Sequence, residues 1–509
     1  MKDRAKHKSV MDLVLRPEWV FLVLFLVFST AATLLVPMGA GPDEPSHIAR
    51  VEQIADGVMV TPTIEASQVD RDLAKVADTS QPVYGGFQDY GLIHTAVQNM
   101  RSYQGLMSLY SFPAWSASNL VTGDRFGEQR VGFAFSNSAV NSPLVYLPQV
   151  LFFRLAGLFT HSAWWLIFAM RMGGILTLAL AIFLCIRAIP VGKWFMAVFG
   201  ILPSTILTNT ALTADTITTV CCLALITAFM VAWMREGPVS RLTWGVLAVS
   251  SVSMGMAKLS YLPLVFLLLL LPMVRPELRT RRTWAWVGGI VLASLVIFLV
   301  WYMQIGGVNT GVLFDSAVKP AQQKKFILGH PLFYAKNELS LFLMMDFFQV
   351  SNFGILSMRG TSLECGWIYL ILMAIALFVP DPRERPLNEG RSGIWWVISA
   401  FILEYLVMFV LISTALYLQF TPVGAPYIAG VQNRYFVPIM PLLLLSVLLL
   451  ARWILAPRID PEPGEVRLAA AESRDRVLIR ILSSGMAISI LVMMLNLLRV
   501  VYDKGIIIR

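Results

Sequence analysis

Residues 19–47 read WVFLVLFLVFSTAATLLVPMGAGPDEPSH. The first part, Trp19 to Met38, is an apolar run of the length a helix needs to cross a hydrocarbon core of about 30 Å. A basic stretch precedes it (Lys2, Arg4, Lys6, Lys8, Arg16). With no small-residue cleavage site after it, the run reads as an uncleaved signal anchor. The second part is its opposite. Gly41-Pro42-Asp43-Glu44-Pro45-Ser46-His47 sets two adjacent carboxylates and a histidine between prolines, directly where the span ends.

The rest of the chain repeats the first theme. Of 509 residues, 57% are hydrophobic and 14% are charged. Soluble domains carry about 25% charged residues, so a bilayer must serve as part of the solvent. The net charge of +9 is spread over the ends of apolar runs, where basic residues anchor helices. No nucleic-acid partner is implied. The four cysteines (Cys185, Cys221, Cys222, Cys365) lie in or beside apolar segments without metal-ligand spacing. Neither a disulfide nor a zinc site is expected.

The apolar runs predict an all-α, polytopic integral membrane protein with about eleven spans (eleven to thirteen). These are Trp19–Met38, Ala163–Ile186, Trp194–Leu207, Thr216–Met234, Leu242–Met256, Leu259–Val274, Trp284–Met303, Leu363–Val379, Ile394–Leu418, Tyr435–Leu450 and Ile481–Val501. Ser142–Phe159 and Glu338–Val350 are ambiguous and read as interfacial or re-entrant. With the N-terminus inside, 22 of the 40 basic residues fall in inner, mostly short loops, as the positive-inside rule asks. That orientation makes 1–18 a cytoplasmic N-terminus and 19–451 a transmembrane domain. It makes 452–480 a cytoplasmic linker with a short helix, and 481–509 a last span with an outer tail. A large outer loop, 39–141, and a second, 306–362, lie on the extracytoplasmic side. The first carries 11 carboxylates against 6 basic residues and room for a few amphipathic helices lying on the membrane.

Several polar residues stand out on that outer side. Asp43 and Glu44 have the chemistry of a general base for an acceptor hydroxyl, or of oxygen ligands for a divalent cation. Asp43 also fits a helix cap, with His47 one turn on. Asp215, ending Thr208-Asn209-Thr210-Ala211-Leu212-Thr213-Ala214-Asp215, is either a cap or a carboxylate reaching an outer cavity. Lys258, in the turn that leads to Tyr261, runs against the positive-inside bias. It either snorkels to lipid phosphate or binds a substrate phosphate. Arg434, with Gln432 and Tyr435 beside it, suits phosphate or carboxylate recognition, or anchors the interface. Arg171 lies about two turns inside the second span, where a charge needs a cavity or a partner. Glu404, near the middle of the ninth, raises the same question without a role. One topology places Asp43, Glu44, His47, Asp215, Lys258 and Arg434 on one face.

The order of motifs resembles a bacterial predicted-membrane-protein family of unassigned function (domain of unknown function 2142). PDEPSH is followed by NSPLVYLPQ (Asn141 to Gln149), LPSTILTNTALTAD (Leu202 to Asp215), AKLSYLPL (Ala257 to Leu264) and VQNRYFVP (Val431 to Pro438). Asn433 departs from that family's usual glycine, and Asp346 to Gly366 departs from its pattern. The family in turn is similar to the membrane glycosyltransferases of the C fold (GT-C). The resemblance implies a polyprenyl-phosphate sugar donor, a cell-envelope glycan or lipid acceptor, and a site on the outer face of the bacterial cytoplasmic membrane. It implies that Asp43 and Glu44 act as base or metal ligands and that Asp215 is a second acid. It implies that Lys258 and Arg434 grip the donor phosphate, and an interfacial helix at NSPLVYLPQ.

Three functions follow as expectations: transfer of a sugar from a lipid phosphate, transport of a lipid-linked saccharide, or a non-catalytic role in envelope assembly. A divalent cation (Mg or Mn) is optional in the first. No P-loop, GxSxG or HExxH is present, and nothing suggests a soluble nucleotide-binding domain, which argues against a nucleotide-sugar donor.

Overall fold

The computed structural model describes residues 16–39, 41, 43–74, 82–109, 123–308, 317–344, 363–379, 381–385, 393–459 and 465–502. The expected N-terminal basic stretch, apart from Arg16, lies outside them, as does most of Asp346 to Gly366.

Among the described residues, six helices are long and apolar enough to cross a membrane: Pro17–Leu35, Ala163–Ala188, Asp215–Met234, Arg281–Ile305, Ile394–Phe420 and Asp475–Leu495. The first begins with Pro17 at its N-terminus, where a missing N–H costs nothing. It ends at Val36, which precedes Pro37 and has left the helical region. The interhelical core is made of large apolar side chains, with Phe21, Phe25, Trp194, Phe199, Trp233 and Phe401 all buried.

Among the described residues, the expected count of eleven spans is not reached by length and composition. Shorter apolar segments, Leu259–Val274, Gly366–Phe378 and Met440–Ile454, occupy three of the expected positions. The expected span Trp194–Leu207 is broken into Lys193–Gly200 and Pro203–Thr210, because Pro203 cannot continue the helix before it. The ambiguous segment after Ser142 is a short turn followed by the helix Leu147–Gly157. That helix is too short to cross, at about 16 Å. In place of a linker ahead of the last span, one helix runs from Glu465 to Tyr502.

The all-α expectation needs a correction in the first long loop. Three short strands, β1 (Thr63–Ile64), β2 (Val83–Asp89) and β3 (Arg130–Ala134), form an antiparallel sheet in the order β1-β2-β3. The loop is therefore not a set of surface helices. It is a folded cap with its own core, in which Ile48, Val51, Leu92, Ile93 and Phe133 pack against Tyr146, Trp164 and Ile167. Glu52 ties the helix Glu44–Ala55 to β2, accepting the Asp89 N–H at 2.9 and 3.1 Å. Burial pushes the Glu52 carboxyl up to about 8.

Charge gathers at the two ends of the helices. At one end Arg383 grips Glu18 at 2.6 and 2.8 Å and Asp381 at 2.7 Å. Lys193 caps the carbonyls of Ile186 and Arg187 there, and Arg385 reaches the Met234 carbonyl. The other end holds the carbonyls of Thr33, Val36 and Pro37, the start of Asp215–Met234, and the cap domain. The helix Pro17–Leu35 separates the two by about 28 Å.

Candidate functional site

Asp43 and Glu44 begin the same helix and point to different places. Asp43 has φ 58°, the only positive φ outside glycine among the described residues. That conformation costs about 1–2 kcal/mol for most side chains and least for Asp and Asn. Gly41, two residues earlier, is required by space: a Cβ there would stand 2.3 Å from the Ala211 methyl. The close approach lets the Gly41 N–H reach Glu44 at 2.9 Å.

Glu44 is wholly buried. One oxygen accepts from Arg171 Nε at 2.7 Å and from the Leu212 N–H at 2.9 Å. The other accepts from an Arg171 terminal nitrogen at 2.7 Å and from the N–H groups of Gly39 and Gly41 at 3.0 and 2.9 Å. Five donors saturate a carboxylate, which offers about four lone-pair sites. Burial raises its affinity for a proton, but the Arg171 charge and these bonds outweigh it and hold the carboxyl below its ordinary range. Arg171 is equally committed. Beyond Glu44 it donates to the carbonyls of Thr33 (3.1 Å), Val36 (2.8 Å) and Pro37 (2.8 Å). All five of its N–H groups are engaged. Arg171 thus has the partner that a charge at its depth needs, and that partner is Glu44. The pair fastens the end of the first span to the second.

Asp43 takes the other route. Its carboxylate, 36% exposed, accepts from Arg434 at 2.9 Å, and it makes no side-chain bond to its own helix. Asp43 does stand at the N-cap position of that helix, with its backbone carbonyl accepting from the Ser46 and His47 N–H groups. Asp215 approaches from the other side, wholly buried at the first turn of its helix. One of its oxygens accepts from Lys258 Nζ. The second accepts from Thr213 Oγ1 at 3.1 Å and stands 3.7 Å from Arg434 Nε. Lys258 and Arg434 both lie over the Tyr435 ring, each 5.2 Å from its centre. Two acids and two bases from four separate segments thus meet in one cluster, open to solvent along Asp43 and the 28%-exposed Lys258 side chain.

His47 lies behind this cluster, buried, with Nδ1 2.6 Å from the Tyr146 hydroxyl. Burial first, and then the Arg434 charge, push its imidazole down to about 4. It is a neutral wall of the site. Tyr261 supports it too, donating from its hydroxyl to the Tyr435 carbonyl at 2.6 Å. The Gln432 carbonyl accepts the Tyr435 N–H at 3.1 Å, closing the turn that presents Arg434.

Sequence reasoning did not single out Tyr146, Asn141 or Thr213. The first two are hydrogen-bonded at 3.2 Å and position His47, while Thr213 positions Asp215. All three sit inside quoted motifs, and polarity within an apolar motif was the available signal.

A divalent cation does not suit the residues as they stand. Among the described residues no three metal-ligating side chains converge. Glu44 has no lone pair left, and the charges of Asp43 and Asp215 are met by Arg434 and Lys258.

The chain belongs to the family described as "Predicted membrane protein (DUF2142)", whose profile matches residues 24–443. It is a multi-pass membrane protein. No curated protein and no solved structure matches it.

Proposed function

We propose that this protein is a membrane glycosyltransferase of GT-C type. It transfers a sugar from a polyprenyl-phosphate donor to a glycan or lipid acceptor of the cell envelope. The observation that carries the reading is the meeting of Asp43, Asp215, Lys258 and Arg434 in one half-open cluster at the end of the helices. That end is the extracytoplasmic face of a bacterial plasma membrane, with the N-terminus in the cytoplasm.

Asp43 is the base, because it is the exposed acid of the pair. The acceptor hydroxyl attacks the anomeric carbon, and its proton passes to Asp43. The bond from that carbon to the phosphate oxygen breaks, and the polyprenyl phosphate departs with the electron pair. Arg434 and Lys258 stabilise the charge developing on that phosphate. Asp215 holds Lys258 in place, and the Tyr435 ring fixes the spacing of the two cations. No metal enters these steps.

One feature favours transport instead. The helix broken at Pro203 places Asn209 against Thr216, with 2.7 Å between the side-chain oxygens, and discontinuous helices are common in transporters. The envelope glycan of cells carrying Asp43→Asn, compared with wild type and a deletion at matched protein levels, separates the two. Loss of the same sugar in the substitution and in the deletion supports transfer. A glycan changed by the deletion alone sinks the catalytic role of Asp43 and leaves transport or assembly.

A further inference from the structure

We infer that Asp43 and the substrate phosphate compete for Arg434, so that donor binding itself releases the base. The inference rests on the transferase reading and adds to it an order of events within the site.

The argument begins with charge. In the free protein both cations of the cluster already face carboxylates, Lys258 facing Asp215 and Arg434 facing Asp43. Two negative and two positive charges leave no net attraction for an anion. A phosphate that simply adds to the cluster meets two carboxylates at close range, which is unfavourable. One carboxylate must yield. Asp215 is badly placed to do so: it is wholly buried, bonded by Lys258 and Thr213, and set in the first turn of its helix, which favours an acid.

Asp43 is well placed. It accepts from a terminal nitrogen of Arg434 at 2.9 Å, and more than a third of its side chain faces solvent. Its backbone sits in the left-handed region, so its present direction is sustained by its surroundings. A phosphate on Arg434 gains charge-assisted bonds to a guanidinium, a geometry that suits phosphate oxygens. The displaced Asp43 is then an unpaired carboxylate beside the bound donor, where an acceptor hydroxyl arrives. The exchange thus leaves the Asp43 oxygen engaged by Arg434 in the free protein and open to an acceptor hydroxyl once the donor is present.

Competition makes an unusual prediction about a residue in the reaction centre. If Arg434 is free of Asp43 for only a fraction of the time, the apparent affinity for phosphate is reduced by that fraction. A partly exposed pair of this kind suggests a fraction of about one in five. Asp43→Asn should then bind donor phosphate roughly fivefold more tightly, while losing transfer.

The test uses the full chain in nanodiscs, with polyprenyl phosphate and inorganic phosphate as separate probes and calorimetry as the readout. Asp43→Asn should tighten polyprenyl phosphate binding, Arg434→Gln should weaken it, and the double variant should match Arg434→Gln. Thermal melting confirms that each variant is folded. If Asp43→Asn binds both probes no more tightly than wild type, competition is overturned, even where wild type transfers sugar. If it tightens inorganic phosphate while the polyprenyl chain adds no affinity, competition stands and the lipid-donor reading falls. No binding of either probe to any of the proteins overturns the competition as well.

Discussion

Two arginines at the same end of the molecule face two consecutive acids, and they do different work. The Arg171 region is closed: Glu44 and the guanidinium saturate each other and the nearby carbonyls, with both side chains fully buried. The Arg434 region is half-open: Asp43 accepts from Arg434 at 2.9 Å, Asp215 stands 3.7 Å from it, and solvent reaches Asp43. The difference teaches that acid–base pairing alone does not mark a reactive site. What separates the two regions is whether hydrogen-bonding capacity is filled and whether an outside molecule can arrive.

The comparison breaks most easily at the closed region. Arg171→Met should destabilise the protein by about 3–5 kcal/mol, since it leaves the Glu44 charge buried and three carbonyls without donors. Arg171→Lys should rescue little, because three rotating donors cannot copy a planar fork. Melting of the purified protein in nanodiscs checks both. A melting point within a degree or two of wild type would show that the clamp does not fasten the two spans. At the open region the expectation is reversed: Asp43→Asn should leave the melting point nearly unchanged and cut transfer by about 10²-fold or more.

The distant charged end offers a third term. Arg383 resembles Arg171 in its paired bonds to Glu18 and Asp381, but its side chain is 33% exposed. Screening weakens it, so Arg383→Gln should cost about 2 kcal/mol, less than the closed pair at the other end. An equal or larger loss, read by the same melting experiment, would show that exposure is not what ranks these clusters.

The sequence is legible where one helix or one short motif decides the outcome. The long spans follow from apolar length, and PDEPSH announces a polar cluster by its composition. Asp43, Asp215, Lys258 and Arg434 come together as their placement on one face anticipates. What the sequence hides is pairing. Nothing in the dipeptide Asp43-Glu44 says which acid turns inward; the close contact of Gly41 with Ala211 and the left-handed backbone at Asp43 decide that. The cap sheet is hidden for another reason. Its central strand, VYGGFQD, carries two glycines and no clean apolar alternation, and its partner β3 pairs with it across 41 residues (Asp89 with Arg130) to 49 residues (Gly85 with Ala134). The break before Pro203 was readable in principle, but the apolar run on both sides outweighed it.

His47 sharpens the comparison from the side of pH, with the smallest effect. Its imidazole is held near 4 by burial and by Arg434, against an ordinary value of 6.5, while Asp43 and Asp215 pull the other way and Lys258 adds to the depression. The unfolded chain therefore takes up this proton at a higher pH than the folded one does. Stability from the neutral histidine is complete above about 6.5 and is lost as pH falls towards about 4. Between pH 7 and pH 5.5 the loss amounts to about 1 kcal/mol. His47→Gln keeps a polar group facing Tyr146 and removes the titration, so its melting point should fall less over that interval than that of wild type. Arg434→Gln makes the argument specific to the open region: without that cation the imidazole rises part of the way, burial still holding it down, and a smaller flattening should appear with His47 intact. If the two variants and wild type lose stability in parallel, the acid sensitivity belongs to other groups, and the Arg434 cluster does not reach as far as the wall behind it.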